Sequence, residues 1–193
     1  TPCTALIHIV SDDVITNSGT FTNAGIIIEN ATGASSISSN TGVVQNLNGG
    51  TFTVGSGSMP VNTAGDVWTG CTDSDWATAG NWLDGSVPTA TDDAVIPDVT
   101  NDPVIMTGTA AVANSVHVQM GGSLTIQAMG SLTINGFFDH GSGNTSGFRN
   151  EGTVSNNGTI SLGSIAGIGL VGIDNYDPGT FNNLGDGQIT IDR

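Results

Sequence analysis

Short runs in which polar and apolar residues alternate recur along the chain, each opened by a turn of Asn and Gly. The unit is clearest as Thr153-Val154-Ser155 and Thr159-Ile160-Ser161, which follow Asn150-Glu151-Gly152 and Asn156-Asn157-Gly158. Successive side chains of a strand point to opposite faces, so Val154 and Ile160 fall on one side and the hydroxyls on the other. The same strand returns as Thr20-Phe21-Thr22, Thr51-Phe52-Thr53, Ser123-Leu124-Thr125 and Ser131-Leu132-Thr133, with looser copies around Phe181 and Ile189. No stretch carries a 3.6-residue period, and glycine interrupts most helical candidates. A self-similar strand at this density predicts a repeat architecture, all-β and wound as a β-solenoid. Phe21, Phe52, Val154, Ile160, Phe181 and Ile189 are then the inward core, and Asn17, Asn23, Asn150, Asn156 and Asn175 are turn or ladder positions.

The pattern divides the chain. Residues 1–55 read as solenoid rungs, opening with a buried strand that ends Leu6-Ile7-His8-Ile9-Val10. Residues 56–66, with Pro60 and Asn62 among Gly and Ser, read as a linker. Residues 67–105 hold all three tryptophans, Trp68, Trp76 and Trp82, and are expected to form an irregular end module that caps a solenoid. Rungs resume over 106–193. Phe52 comes 25 positions after Ile27, Phe181 comes 21 after Ile160, and Phe21 again comes 25 after Ile189 when Arg193 is followed by Thr1. The repeat thus stays in phase across the ends, and residues 1–55 are expected to complete a neighbouring unit, in a tandem array or in separate copies stacked end to end. Thr1-Pro2-Cys3 is expected to begin a processed chain.

Composition narrows this picture. With 37% hydrophobic and 5% aromatic residues the core must be thin, and 29 glycines alone would fit disorder; clusters such as Ile26-Ile27-Ile28 argue for a packed repeat instead. Two Arg, no Lys and 17 acids give a net charge of −15. Phosphate neutralisation needs cations that this chain lacks, which excludes nucleic acid as a partner and disfavours anionic lipid. No apolar run approaches the ~20 residues that span a bilayer, so membrane insertion is not expected. The two cysteines, Cys3 and Cys71, are expected to form a disulfide, within or between chains, in an oxidising extracellular setting.

Several motifs together carry a family resemblance. Trp68-x-Gly70, Asp75-Trp76, Asn81-Trp82, Gly85-x-Val87-Pro88 and Asp92-Asp93-x-Val95-Ile96-Pro97, leading into Gly122-Ser-Leu-Thr-Ile126, resemble a module of very large secreted adhesin-like proteins of Gram-negative bacteria. The Asn-x-Gly-Thr rungs resemble the right-handed parallel β-helix stalks of those proteins and of autotransporter and filamentous-haemagglutinin passengers. The resemblance implies that fold and a cell-surface or extracellular location. It says little of activity, because such proteins share stalks rather than active sites.

Candidate chemistry is sparse. Aspartates at short spacing can supply calcium with oxygen ligands, and Asp92, Asp93 and Asp98 are the candidates; the alternative is that they bond their local backbone turns. A lyase would need a basic residue in a cleft, for which only Arg149 and Arg193 exist, and a glycosidase would need paired carboxylates with aromatic platforms. The expectation is therefore not an enzyme. His8, His117 and His140 show no ligand spacing. Outward Ser/Thr pairs such as Thr20/Thr22 and Thr153/Ser155 match the geometry of ice-binding ladders, but they mix Ser freely and fit ordinary strand propensity. Neither end carries an obvious cap, and uncapped ends pair. The expected function is a structural unit of an extracellular fibre, a head-to-tail homopolymer or tandem copies joined through Thr4, Leu6, Ile7, Ile9, Ile189 and Ile191. The alternatives are a calcium-dependent adhesin module and, less favoured, an ice binder.

Overall fold

The computed structural model describes residues 6–9, 14–23, 25–29, 32–46, 51–57, 65–139, 145–163 and 170–192. Its first strands are β1 (Leu6–Ile9), β2 (Thr22–Asn23), β3 (Ile26–Glu29), β4 (Ala34–Ile37), β5 (Ser39–Asn40), β6 (Val43–Asn46) and β7 (Thr51–Val54). Next come β8 (Asp66–Val67), β9 (Asp93–Ile96), β10 (Val104–Ile105), β11 (Ala110–Ala113), β12 (Ser115–Val118), β13 (Ser123–Ile126) and β14 (Ser131–Ile134). The last are β15 (Phe138–Asp139), β16 (Thr145–Asn150), β17 (Thr153–Asn156), β18 (Thr159–Leu162), β19 (Leu170–Asn175), β20 (Thr180–Asn183) and β21 (Gln188–Ile191). A 3-10 turn spans Ala79–Asn81. Among the described residues there is no α-helix, and the fold is all-β.

From β9 onward the chain visits three parallel sheets in rotation. One holds β9, β12, β16 and β19, the second β10, β13, β17 and β20, and the third β11, β14, β18 and β21. Each strand lies on its counterpart from the preceding turn of chain. Leu124 stands opposite Val154 and Val154 opposite Phe181. Leu132 stands opposite Ile160 and Ile160 opposite Ile189. The N-terminal strands repeat the scheme with β1-β3-β6, β4-β7 and β2-β5.

The two-residue period sets what is buried. In β13 and β14 Leu124, Ile126, Leu132 and Ile134 are fully buried while their Ser and Thr neighbours are half-exposed. Each such side chain contributes about 1.5–3 kcal/mol relative to exposure. Val154 and Ile160 are buried in the same cluster, with Phe181 partly buried against it. A second cluster of Ile27, Ile37, Val44 and Phe52, with Phe21 packed against it, fills the N-terminal layers. Ile189, also expected in the core, is 39% exposed because no strand lies beyond β21 among the described residues.

The corners explain the Asn-x-Gly motif. The Gly152 N–H donates to Asn150 Oδ1 and the Gly158 N–H to Asn156 Oδ1, both at 3.2 Å, each turn closing on its own asparagine. A side chain at Gly152 or Gly158 would run into the carbonyl oxygens of Gly122 or Gly130 one layer below, so close stacking admits only glycine there. Each buried asparagine then reaches the next layer: Asn23 Nδ2 donates to Asn40 Oδ1 at 2.8 Å, and Asn156 Nδ2 to Asn183 Oδ1 at 2.7 Å.

The expected vertical spacings are corrected. Ile27 pairs with Val44 rather than Phe52, which pairs with Ser35. Phe181 lies over Val154, not Ile160. The hydroxyl-apolar-hydroxyl unit begins strands of more than one sheet, β13 and β17 in the second and β14 and β18 in the third, so successive copies in sequence do not stack on one another.

The tryptophan-rich stretch, expected at an end, has strands on both sides of it. Trp82 makes edge-to-face contacts with Trp68 (centroids 5.1 Å apart) and Trp76 (4.7 Å), and all three are buried. Trp68 and Trp82 form an antiparallel bridge, and the Leu83 N–H donates to the Val67 carbonyl, so this segment covers the outer edge of β8. The N-terminal layers pack by their outward face, through Val43 and Ile26, against Val67, Leu83 and Val95. Of the expected linker, 58–64 lie outside the described residues, and Asp66 already pairs with Ala94.

Candidate functional site

Two sets of strand edges are open among the described residues, one in the N-terminal row and one in the C-terminal sheets. β1 pairs with β3 alone, and β19, β20 and β21 pair with β16, β17 and β18 alone. A free strand edge presents unpaired N–H and C=O groups that template another strand. At one end Leu6 is 58% and Ile7 40% exposed; at the other Ile191 is 50% exposed, and Tyr176 and Leu184 are similarly bare. The structure thus sets Leu6 and Ile7 at one end and Ile189 and Ile191 at the other, with Ile9 half-buried. Thr4 lies outside the described residues. The asparagine ladder marks the same terminus. Asn150 Nδ2 donates upward to Asn175 Oδ1 and the Thr180 carbonyl, whereas Asn175 Nδ2 turns back to the Gly179 carbonyl of its own loop. Asn183 does the same to Gly187.

An arginine network lies beside this terminus, on one column of the first sheet. Val95, His117, Arg149 and Asp174 stand opposite one another in successive strands. Arg149 Nη2 lies 2.6 Å from Glu151 Oε1, its Nη1 3.7 Å from Asp174 Oδ2, and its guanidinium 4.6 Å over the Tyr176 ring. His117 Nε2 is 3.4 Å from Glu151. Burial holds the His117 pKa below the ordinary value, with Glu151 opposing. Burial pushes the Glu151 carboxyl up, but Arg149 and His117 outweigh it and hold the carboxyl below its ordinary value.

An acidic cleft of about 490 Å³ opens where the N-terminal layers meet the tryptophan stretch, between His8, Ile28 and Gln45 on one wall and Asp66, Asp84, Asp92 and Asp93 on the other. Burial, then the charge of Asp84, a hydrogen bond with it and the charge of Asp92 push the Asp66 carboxyl up to about 8. A carboxyl raised that far keeps its proton at neutral pH, hydrogen-bonded to Asp84. Asp92 is held low by the Thr89 hydroxyl and N–H. No spacing in the sequence singles out Asp66 with Asp84; the cleft forms only when the chain folds.

The expected calcium ligands are engaged separately. Asp92 accepts from Thr89; Asp93 Oδ1 accepts from Asn114 Nδ2 at 2.7 Å and Ser115 Oγ at 2.6 Å. Asp98 lies against Gly121 and near Asp102, whose carboxyl burial raises to about 6. Among the described residues no three of His, Cys, Asp and Glu converge to hold a metal ion. The short-range alternative, carboxylates bonding their own turns, describes Asp73 (to the Asp75 N–H) and Asp75 (to the Ala77 N–H). Buried as they are, the three tryptophans offer no exposed platform to a sugar. Cys71 is disulfide-bonded; Cys3, the other cysteine of the chain, and His140 lie outside the described residues. No helix among the described residues is long and apolar enough to cross a membrane.

A family model described as a domain of unknown function (DUF8693) matches residues 67–168, just over half of the chain, from the tryptophan stretch through β18. No curated protein and no solved structure matches the chain.

Proposed function

We propose that this chain, which belongs to the DUF8693 family of domains of unknown function, is a structural unit of an extracellular or cell-surface fibre. It is read as a right-handed parallel β-solenoid whose copies stack head to tail. The observation that carries this reading is the pair of strand edges that stay open among the described residues, β1 in the N-terminal row and β19, β20 and β21 in the C-terminal sheets, both lined with exposed Leu, Ile or Tyr. Soluble proteins blunt or cover such edges, and leaving both bare invites a heterologous, non-closing contact that propagates as a filament. The disulfide at Cys71 supports an oxidising location, and a net charge of −15 without lysine keeps the sides of a fibre from nonspecific association.

Electron microscopy and sedimentation over a concentration series test the proposal. Filaments are expected, with strands about 4.8 Å apart along their axis. A chain that stays monomeric at millimolar concentration overturns it.

A further inference from the structure

The geometry points to a jointed molecule: strands β1 to β7 form an arm that docks reversibly on the outward face of the first sheet, and the seam opens when its carboxyls give up a proton. The arm is a unit in its own right. Its sheets, β1-β3-β6, β2-β5 and β4-β7, share no strand with the rest among the described residues. It has its own core of Ile27, Ile37, Val44 and Phe52, and the family model begins just beyond it, at residue 67. What joins the two is a strip in which Ile26 and Val43 meet Val67, Leu83, Val95 and Val99, with Gln45 Nε2 donating to the Gly65 carbonyl at 3.4 Å. Cavities of about 490 and 210 Å³ flank the strip, so the contact is narrow. Parts of a chain held by so small an apolar contact move relative to each other. Cys71 follows Gly70, which lines the smaller cavity, so its disulfide lies across the strip from the acids and leaves their side unfastened.

The larger cavity is the acidic cleft, and its walls differ in charge. On the wall away from the arm, Asp92 is served by Thr89, Asp93 by Asn114 and Ser115, and Asp84 by the Ser86 N–H at 2.9 Å and hydroxyl at 2.8 Å. Asp66 differs: its Oδ1 is buried and accepts no hydrogen bond, and the carboxyl is bonded instead to Asp84. The arm's wall presents His8, Ile28 and Gln45. His8 is the one group there able to carry positive charge. Glu29, the arm's only acid among the described residues, is fully buried and bonded to Ser35 within the arm. While Asp66 holds its proton, the Asp66–Asp84 contact is a hydrogen bond. Without it, two carboxylates repel at contact in a site closed to water, and opening the seam hydrates both. Burial by the arm favours the protonated form, so by linkage the loss of that proton disfavours docking. Docking is strongest in mild acid and weakens until pH passes about 8, where Asp66 titrates in the closed form.

Spin labels on Ser18→Cys in the arm and Ala90→Cys beside the cleft, both exposed positions, read the seam by pulsed electron paramagnetic resonance. The labelled chain is expected to give one short distance at about pH 5 and a longer population that grows up to about pH 8.5. Asp66→Asn imitates the protonated form and is expected to keep the short distance throughout. Val43→Asp sets a charge in the apolar strip and is expected to show the longer distance already at about pH 5, with circular dichroism establishing that the strands are retained. One unchanging distance across this range, or an Asp66→Asn chain that lengthens as the labelled chain does, overturns the proton-operated seam. A folded Val43→Asp chain that keeps the short distance overturns the strip as the joint. Both measurements are made on dilute monomer, so neither depends on whether filaments form.

Discussion

Asn150 Nδ2 lies 2.7 Å from Asn175 Oδ1, and this contact ties two layers together at the last paired position of β16 and β19, where both strands turn the corner. Asn150 is fully buried, donates also to the Thr180 carbonyl at 3.0 Å, and accepts from the Gly152 N–H. Removing a buried amide strands the groups it served. Asn150→Ala is expected to lower unfolding free energy by about 2–3 kcal/mol in urea titration, and Asn175→Ala by less, because Asn175 is exposed.

Trp82 carries the tryptophan packing, since it alone contacts both of the others edge-to-face and its Nε1–H donates to the Trp76 carbonyl at 2.9 Å. Trp82→Ala is expected to cost about 3–5 kcal/mol, with loss of the near-ultraviolet dichroism of the indoles. Trp82→Phe keeps most of the packing and loses the hydrogen bond, for about 1–2 kcal/mol.

Stability is expected to fall as pH rises from mildly acid to mildly alkaline. Asp66 titrates near 3.8 when unfolded and about 8 when folded, so the native state holds the proton more tightly in between. The favourable contribution is complete below the unfolded value and is lost progressively until pH passes the folded one. Asp102, raised to about 6, adds the same sign over a narrower window. Asp66→Asn imitates the protonated form. Melting temperatures between about pH 5 and about pH 8.5 should decline less in Asp66→Asn than in the native chain, and equal slopes would refute the assignment.

Met129 has a φ of 62° and is 79% exposed in the turn before β14. A side chain in this left-handed region costs roughly 1–2 kcal/mol, partly offset because glycine gives up more freedom on folding. Met129→Gly is therefore expected to raise stability by up to about 1 kcal/mol, measured by thermal or urea unfolding.

The strand units, their inward residues and the Asn-x-Gly corners were legible in the sequence because each depends on local geometry. Alternation put Val154 and Ile160 in the core, and the glycine two residues after Asn150 or Asn156 follows from a turn that closes on its own asparagine. Packing of Trp68, Trp76 and Trp82 was legible too, since large aromatics concentrated in one stretch bury one another. Which strand lies on which was not. Ile27 meets Val44 rather than Phe52 because loop lengths, and not the two-residue period, decide when the chain returns to a given sheet. The same holds for the acidic cleft: Asp66, Asp84 and Asp92 are spread along the chain, and the N-terminal layers that meet the tryptophan stretch close a wall around them, where burial pushes the Asp66 carboxyl up. Periodicity along a strand is a property of neighbouring residues; burial and charge at a seam belong to segments that meet in space.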